Sequence, residues 1–401
     1  MKKILSKTPI IFLLLLFLIE PDGIRDGATF RGGLFNIFHL FFNSAKYFSI
    51  ALSFLMLFLM KRPSIMLMMV GVYNGYLLLS SMINENFTTS YLVIVTICVS
   101  LAIFTEYYMK EAPINFLKAL SALLVIYICI NLISLILYPE GLYVDDRWWS
   151  KNYFLGFKNR HIYYFLPCIL CVSIYQFIQY KHIKLLFYVL LFIFMISCVL
   201  NSSTTSLIVI FLFCVMCLLL RRVKFPLGVN PAFFFIVGAI ISFFMISTSI
   251  TGKFDNSTDY LTEFFDKEYN TVGNRTVIWK ESLLYIYRHP IIGNGNLTFD
   301  VGWDWDVSQV HNQYLDFIVQ GGIILFIIFF IQIFLLSRKM SKLKSKEVYN
   351  ILLFVLITYS IEFLMEGKRN HYLWFVSMMM AYNVVPIVND LKIRKKIKKI
   401  T

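Results

Sequence analysis

A chain of 401 residues that is 59% hydrophobic and only 15% charged holds far more apolar surface than a soluble core of that size needs. Its apolar residues fall in about a dozen runs of roughly twenty, the length an α-helix requires to cross the hydrocarbon core of a bilayer. The formal net charge of +14 is scattered over the ends of these runs rather than gathered on one folded face, which argues against a nucleic-acid partner.

The composition predicts an all-α polytopic membrane protein, a single integral membrane domain over 1–401. The N-terminal stretch "MKKILSKTPIIFLLLLFLIEPDG" is built like a secretion signal but lacks a small-x-small cleavage site, so it is read as an uncleaved first span. The expected spans are 4–20, 42–60, 63–82, 90–108, 116–138, 162–180, 183–200, 204–220, 231–250, 313–337, 349–366 and 371–389. All seven cysteines lie inside these runs. Cys168 and Cys171 have C-x-x-C spacing in "LPCILCVSI", yet without a second pair they read as small buried hydrophobes.

Alternate connections differ sharply in charge. With the N-terminus inside, one side holds 23 of the 37 Lys and Arg against four acids, Glu106, Glu111, Glu347 and Asp390. The positive-inside rule then puts both termini in the cytoplasm. Three sizeable segments are left outside, roughly 21–41, 139–161 and 251–312, the last being the largest. Ionisable residues within spans are few; Lys46, Glu362 and Lys118 are each expected to snorkel to an interface.

The second external segment, "DDRWWSKNYFLGFKNRH", is cationic, with Arg147, Lys151, Lys158, Arg160 and His161 set against Asp145 and Asp146. In the third, "NRTVIWKESLLYIYRHPIIGNG" (274–295) reads as a short amphipathic helix capped by Asn274 or Thr276 and stopped at Pro290. Arg288 at its end suits the helix dipole, whereas Arg275 at its start opposes it and so suggests an anionic partner. Further on, Asp304-Trp305-Asp306 has the form of a metal-holding D-x-D pair. Nucleotide sugars are not expected outside the cell, however, so Trp303 and Trp305 are read as interfacial anchors or sugar-stacking rings. Finally "VHNQYLDFIVQGG" (310–322) places His311, Asn312 and Asp316 at the mouth of the tenth span, where polar groups are expensive to keep. A helix starting near Val310 would set His311 and Leu315 on one face, and Gly321 and Gly322 would admit a neighbouring helix or lipid chain.

About twelve spans, "RTVIW", "PIIGNG" and "HNQYLDFIVQGG" together resemble the O-antigen ligase/polymerase family. The detailed similarity covers 273–322 and the topology covers the whole chain. The resemblance implies a membrane glycosyltransferase acting at the outer face of the bacterial cytoplasmic membrane on an undecaprenyl-diphosphate-linked oligosaccharide, with no metal and no cofactor. Ligases hand the glycan to lipid A–core; polymerases hand it to another lipid-linked repeat unit of O-antigen, capsule or exopolysaccharide. It implies catalytic roles for His311, Asn312 and Arg275, and diphosphate or sugar contacts from Arg288, Arg160, Arg147, Trp303, Trp305 and Asp316. Membrane lipid, a chain-length regulator and a flippase of the same pathway are the partners it suggests. Ligases tend to carry a further arginine where this chain has "NSSTTSLIV", and a small or hydroxyl side chain is usual where it has Leu325. These departures favour a polymerase over a ligase. A lipid-linked oligosaccharide flippase stays open as a reading from another class.

Overall fold

A computed structural model describes residues 5–145, 150–220, 230–250, 270–298, 309–367 and 371–397. Fourteen α-helices follow one another among them. The first seven are α1 (Thr8–Leu18), α2 (Asp22–Phe30), α3 (Leu34–Leu59), α4 (Ile65–Ile83), α5 (Thr89–Glu111), α6 (Pro113–Leu137) and α7 (His161–Tyr180). The rest are α8 (Leu185–Leu200), α9 (Thr204–Leu220), α10 (Pro231–Ile250), α11 (Asn270–Arg288), α12 (Gln313–Met340), α13 (Lys346–Met365) and α14 (Tyr372–Ile397).

Each of the twelve expected spans coincides with a helix. Nine helices among the described residues are long and apolar enough to cross a membrane, while α1, α8 and α9 are apolar but shorter. The remaining two, α2 and α11, belong to the loops. Local signals set many of the ends: Ser64 and Thr88 accept from the backbone N–H groups of Leu67 and Tyr91, and Pro113 opens α6 where its missing N–H goes unnoticed.

The second loop is more ordered than its sequence suggests. It forms a small antiparallel sheet of β1 (Tyr143–Asp145), β2 (Ser150–Tyr153) and β3 (Gly156–Phe157), in the order β1-β2-β3. The sheet runs into the 3-10 turn Lys158–Arg160 that leads α7.

Among the described residues, the connections that bond to one another gather at two ends of the bundle. At one end Lys110 reaches the Arg62 carbonyl, Asn115 the Ser6 carbonyl, and Asn389 the 342–344 turn. At the other, α2 and the segments around 84–86, 143–160, 201–203, 270–298, 309–312 and 366 bond to one another. Between the two ends the buried core is apolar and aromatic, with Tyr108, Phe116, Phe165, Phe194, Phe235, Phe329 and Tyr359 among its largest enclosed side chains.

Two expected snorkelling residues do not snorkel. Lys46 is buried and donates to Glu20 at 2.8 Å and to Asn43, so pairing across helices replaces escape to the interface. Glu362 is fully enclosed. Cys168 and Cys171 are free thiols packed in the core, with the Ser121 hydroxyl donating to Cys171 at 3.2 Å.

Helix α12 is two helices in one. Gly322 has φ +61° and ψ −163°, which interrupts the helix. Phe317 and Phe329 would lie about 18 Å apart along a straight helix, since twelve residues rise 1.5 Å each. Their ring centroids are 4.4 Å apart, so the chain folds back at the break. The short first arm (313–321) is enclosed by the protein almost all round, and the long second arm (323–340) carries the span.

The peptide groups freed by that break are met by the "PIIGNG" turn. The Asn294 and Gly295 N–H groups donate to the Val319 and Gln320 carbonyls at 2.8 Å, and the Ile323 N–H donates to the Pro290 carbonyl at 3.0 Å. Non-helical backbone at the edge of a membrane needs this kind of internal satisfaction. Gly293 (φ +78°) and Gly322 approach so closely that a Cβ on either would collide with the other strand's backbone. The two glycine motifs therefore fit one another: the glycines of the tenth span admit a backbone turn of this same chain.

Candidate functional site

Asn312 has the extended backbone and acceptor side chain of an N-cap: its Oδ1 accepts the Leu315 N–H at 3.1 Å. The same oxygen accepts from Ser242 of α10 at 2.8 Å, and its Nδ2 donates to the Leu364 carbonyl at 3.2 Å. With all three bonds directed into protein and no exposed surface, Asn312 locks the short arm between α10 and α13. Helix therefore starts at Gln313, three residues later than Val310, and His311 precedes it.

His311 takes φ +52°, an uncommon left-handed conformation for a side chain with a Cβ. The backbone turn throws the imidazole towards the end of α13, where Nδ1 lies 3.0 Å from a carboxylate oxygen of Glu366. The other oxygen accepts from the Arg275 guanidinium at 3.0 Å and from the Asn159 amide at 2.6 Å. Glu366 is almost entirely enclosed, with 6% of its side chain exposed, whereas Arg275 and His311 keep 19% and 29%. Burial by itself would push this carboxyl up. The hydrogen bond and charge of His311, the charge of Arg275 and the Asn159 amide outweigh it and hold the group below the ordinary carboxylate range.

Arg275 arrives on α11, which is longer than its sequence signals. The helix begins at Asn270, so Arg275 is its sixth residue and no longer opposes the dipole at the first turn. Ile278, Trp279 and Ser282 form the inward face, and the Trp279 indole donates to the Val310 carbonyl at 3.0 Å, next to His311. Val277 and Leu284 lie on the exposed face.

Asn159 is held in turn by Ser203, whose hydroxyl donates to its Oδ1 at 3.1 Å. The neighbouring Asn201 donates to the Nδ1 of the buried His161 at 2.8 Å. The "NSSTTS" stretch, bare of arginine, thus serves as the brace that aims Asn159 at Glu366.

Other expected site residues lie elsewhere. Arg160 turns away from Glu366 and pairs with Asp26, beside the Arg25–Asp22 pair at 2.9 Å. Arg288, the last residue of α11, is thirteen residues from Arg275 and hence about 20 Å along the helix axis, so the two do not converge on one group. Asp316 is fully enclosed and accepts from Gln320 and Gln313 within the short arm, which places it beneath the site. Arg147, Trp303, Trp305 and the Asp304–Asp306 pair lie outside the described residues. Among the described residues no cluster of three or more His, Cys, Asp or Glu is arranged to hold a metal ion. Glu366 and Asn159 are the residues that sequence reasoning missed; the one signal for Glu366 was an acid at the very end of an expected span.

An exposed imidazole edge, an arginine and a carboxylate that orients both make a site for binding an anion and moving a proton. Residues 187–330, from α8 into the long arm of α12, match the family model described as O-antigen ligase. The resemblance read from the sequence holds over that stretch, which takes in Arg275, Arg288 and His311 and covers just over a third of the chain. By its apolar helices the chain is a multi-pass membrane protein, and over residues 187–330 it is similar to the O-antigen ligase family. Glu366 and Asn159, which complete the site, lie beyond the matched domain. No curated protein and no solved structure matches the chain.

Proposed function

We propose that this protein polymerises undecaprenyl-diphosphate-linked oligosaccharide repeat units at the outer face of the bacterial cytoplasmic membrane, with both termini in the cytoplasm. The observation that carries the reading is the Arg275–Glu366–His311 cluster at the mouth of the buried short arm. In the step, the O–H bond of the acceptor sugar breaks as its oxygen bonds the donor's anomeric carbon. The bond from that carbon to the lipid diphosphate breaks, and the diphosphate keeps the electron pair.

His311 bonded to Glu366 through Nδ1 presents Nε2 as the atom that takes the acceptor's proton, and the carboxylate offsets the charge the ring acquires. Arg275 supplies a permanent cation with several donors towards the departing diphosphate. Glu366 keeps Arg275 in place without covering it. Asn312 acts through the backbone, by fixing where His311 turns.

The family match carries the description of a ligase, which favours transfer to lipid A–core as the second reading. Against it stands the brace of Asn201 and Ser203, uncharged side chains at the start of α9 where ligases tend to carry arginine. A deletion strain complemented with wild-type and His311→Ala genes separates the readings by polysaccharide profile. Loss of polymerase leaves single-repeat caps on the core lipid, and loss of ligase leaves the core bare. Substrate trapped on the inner leaflet in the null strain, with transport surviving His311→Ala, would instead make the protein a flippase. Wild-type chain lengths in His311→Ala would remove its role as base.

A further inference from the structure

The second arginine of α11, which ends the helix beyond Lys280, stands where a second substrate would need a cation. Arg288 lies about 20 Å from Arg275 on one continuous helix, far beyond the reach of a single diphosphate. It sits over the Tyr285 ring at 5.6 Å, with exposed His289 next in sequence, and no carboxylate among the described residues pairs with it.

Its depth follows from α12. The long arm from Ile323 to Met340 is 18 residues, about 27 Å, close to the hydrocarbon thickness of a bilayer. Arg338 and Lys339 mark one end of that arm. Pro290 and Ile291 are bonded to the other, which puts Arg288 and His289 at the level of lipid headgroups.

The surface beside them is apolar. Tyr287 (86% exposed) and Leu284 are open on α11, and Ile291 (60%), whose carbonyl faces the Ile324 N–H, adjoins the exposed ridge Ile323, Ile327, Ile331 and Phe334, which runs down the long arm. A cationic head site joined to an apolar lane that descends into the membrane complements an amphiphile with a diphosphate head and a long hydrocarbon tail.

We propose that Arg288, with His289, holds the diphosphate of the acceptor lipid, while Arg275 faces that of the donor. This rests on the transfer reading above. An acceptor glycan that reacts at its non-reducing end carries its own lipid diphosphate at the far end, one repeat unit away. Two cation sites separated by the span of a short oligosaccharide, both served by one helix, meet that requirement.

The test uses full-length protein in lipid nanodiscs, with native mass spectrometry counting bound undecaprenyl diphosphate. Wild type takes two molecules per chain, Arg288→Ala with His289→Ala takes one, and Arg275→Ala loses the other. Arg288→Lys, which keeps the charge, retains both. In turnover with a long-chain donor and a single-unit acceptor, Arg288→Ala raises the acceptor KM about tenfold and leaves the donor KM unchanged. A wild-type count of one, an unchanged count in the Arg288 variants, or equal displacement by phosphatidylglycerol overturns the proposal. Because the count needs no turnover, two bound lipids without any chain growth would sink the transfer reading and leave the second site standing.

Discussion

Two charged clusters lie at the same end of the bundle, about one peptide apart at Asn159 and Arg160, and they are built to opposite ends. Around α2, Arg25 pairs with Asp22 at 2.9 Å and Asp26 at 3.3 Å, and Arg160 pairs with Asp26. Two cations meet two carboxylates, and nothing is left over for a ligand. Around Glu366 one carboxylate faces both Arg275 and His311, and the surplus is on the cationic side whenever the imidazole is protonated. The acid is buried and the two bases are partly open. The lesson is that arginine in an external loop does not mark a substrate site by itself; what matters is whether the folded chain has already neutralised it.

The comparison breaks most plainly at its centre. His311→Ala and Arg275→Ala are each expected to lower chain-forming activity at least about 100-fold while the protein still inserts, as judged by polysaccharide gels alongside membrane immunoblots. Near-normal polymer from either variant would put the chemistry elsewhere.

Glu366→Gln comes next, with a loss of about tenfold to 100-fold, because a neutral amide neither orients the imidazole nor offsets its charge. Its pH signature separates orientation from general damage. The carboxyl of Glu366 is held below its ordinary value, so its folded-state pKa lies below the unfolded one. The stabilisation is present above the ordinary carboxylate range and disappears as pH falls through the depressed value. Wild-type protein should therefore keep its thermal stability in detergent down to about pH 4.5 and lose part of it below, and Glu366→Gln should flatten that acid limb. Equal acid sensitivity in both proteins would show that Glu366 is not the titrating group.

Gly322→Ala tests the frame. A side chain in left-handed backbone, driven against the Ile291 carbonyl, should cost about 1–3 kcal/mol and lower the Tm, with activity falling in step. Unchanged melting would mean that the break in α12 is not held by the "PIIGNG" turn. The smallest effect on chemistry is expected from Arg160→Ala, which opens the balanced cluster. It should lower the Tm yet leave the donor KM within about twofold, whereas Arg275→Ala raises that KM about tenfold or more. An Arg160 effect as large as that of Arg275 would erase the distinction between the two regions.

Much of the fold was legible in advance because hydropathy is a property of consecutive residues. Every expected span became a helix, and the described connections that hydrogen-bond to one another gather at two ends of the bundle. His311 and Arg275 stood out for local reasons, a costly polar residue at a span's mouth and a cation in an amphipathic stretch. Asn312 was found, but the bonds that hold it were not. Its N-cap role was visible in principle from an acceptor side chain just before an apolar run, yet its bonds to Ser242 and Leu364 come from other helices. Glu366 was passed over because its meaning depends on partners 55 and 91 residues away.

What the sequence determined alone was the class of the molecule and the course of its helices, since burying apolar runs in a bilayer leaves one economical arrangement. What only the tertiary structure decided was which charges meet. Whether Arg160 is offset and Arg275 available, whether Arg288 joins its helix-mate or stands 20 Å off, and whether two glycine motifs are spacers or a lock all follow from distances across the chain. Ion pairing and backbone collision act over a few ångströms, so they are settled only once packing has brought distant residues within that range.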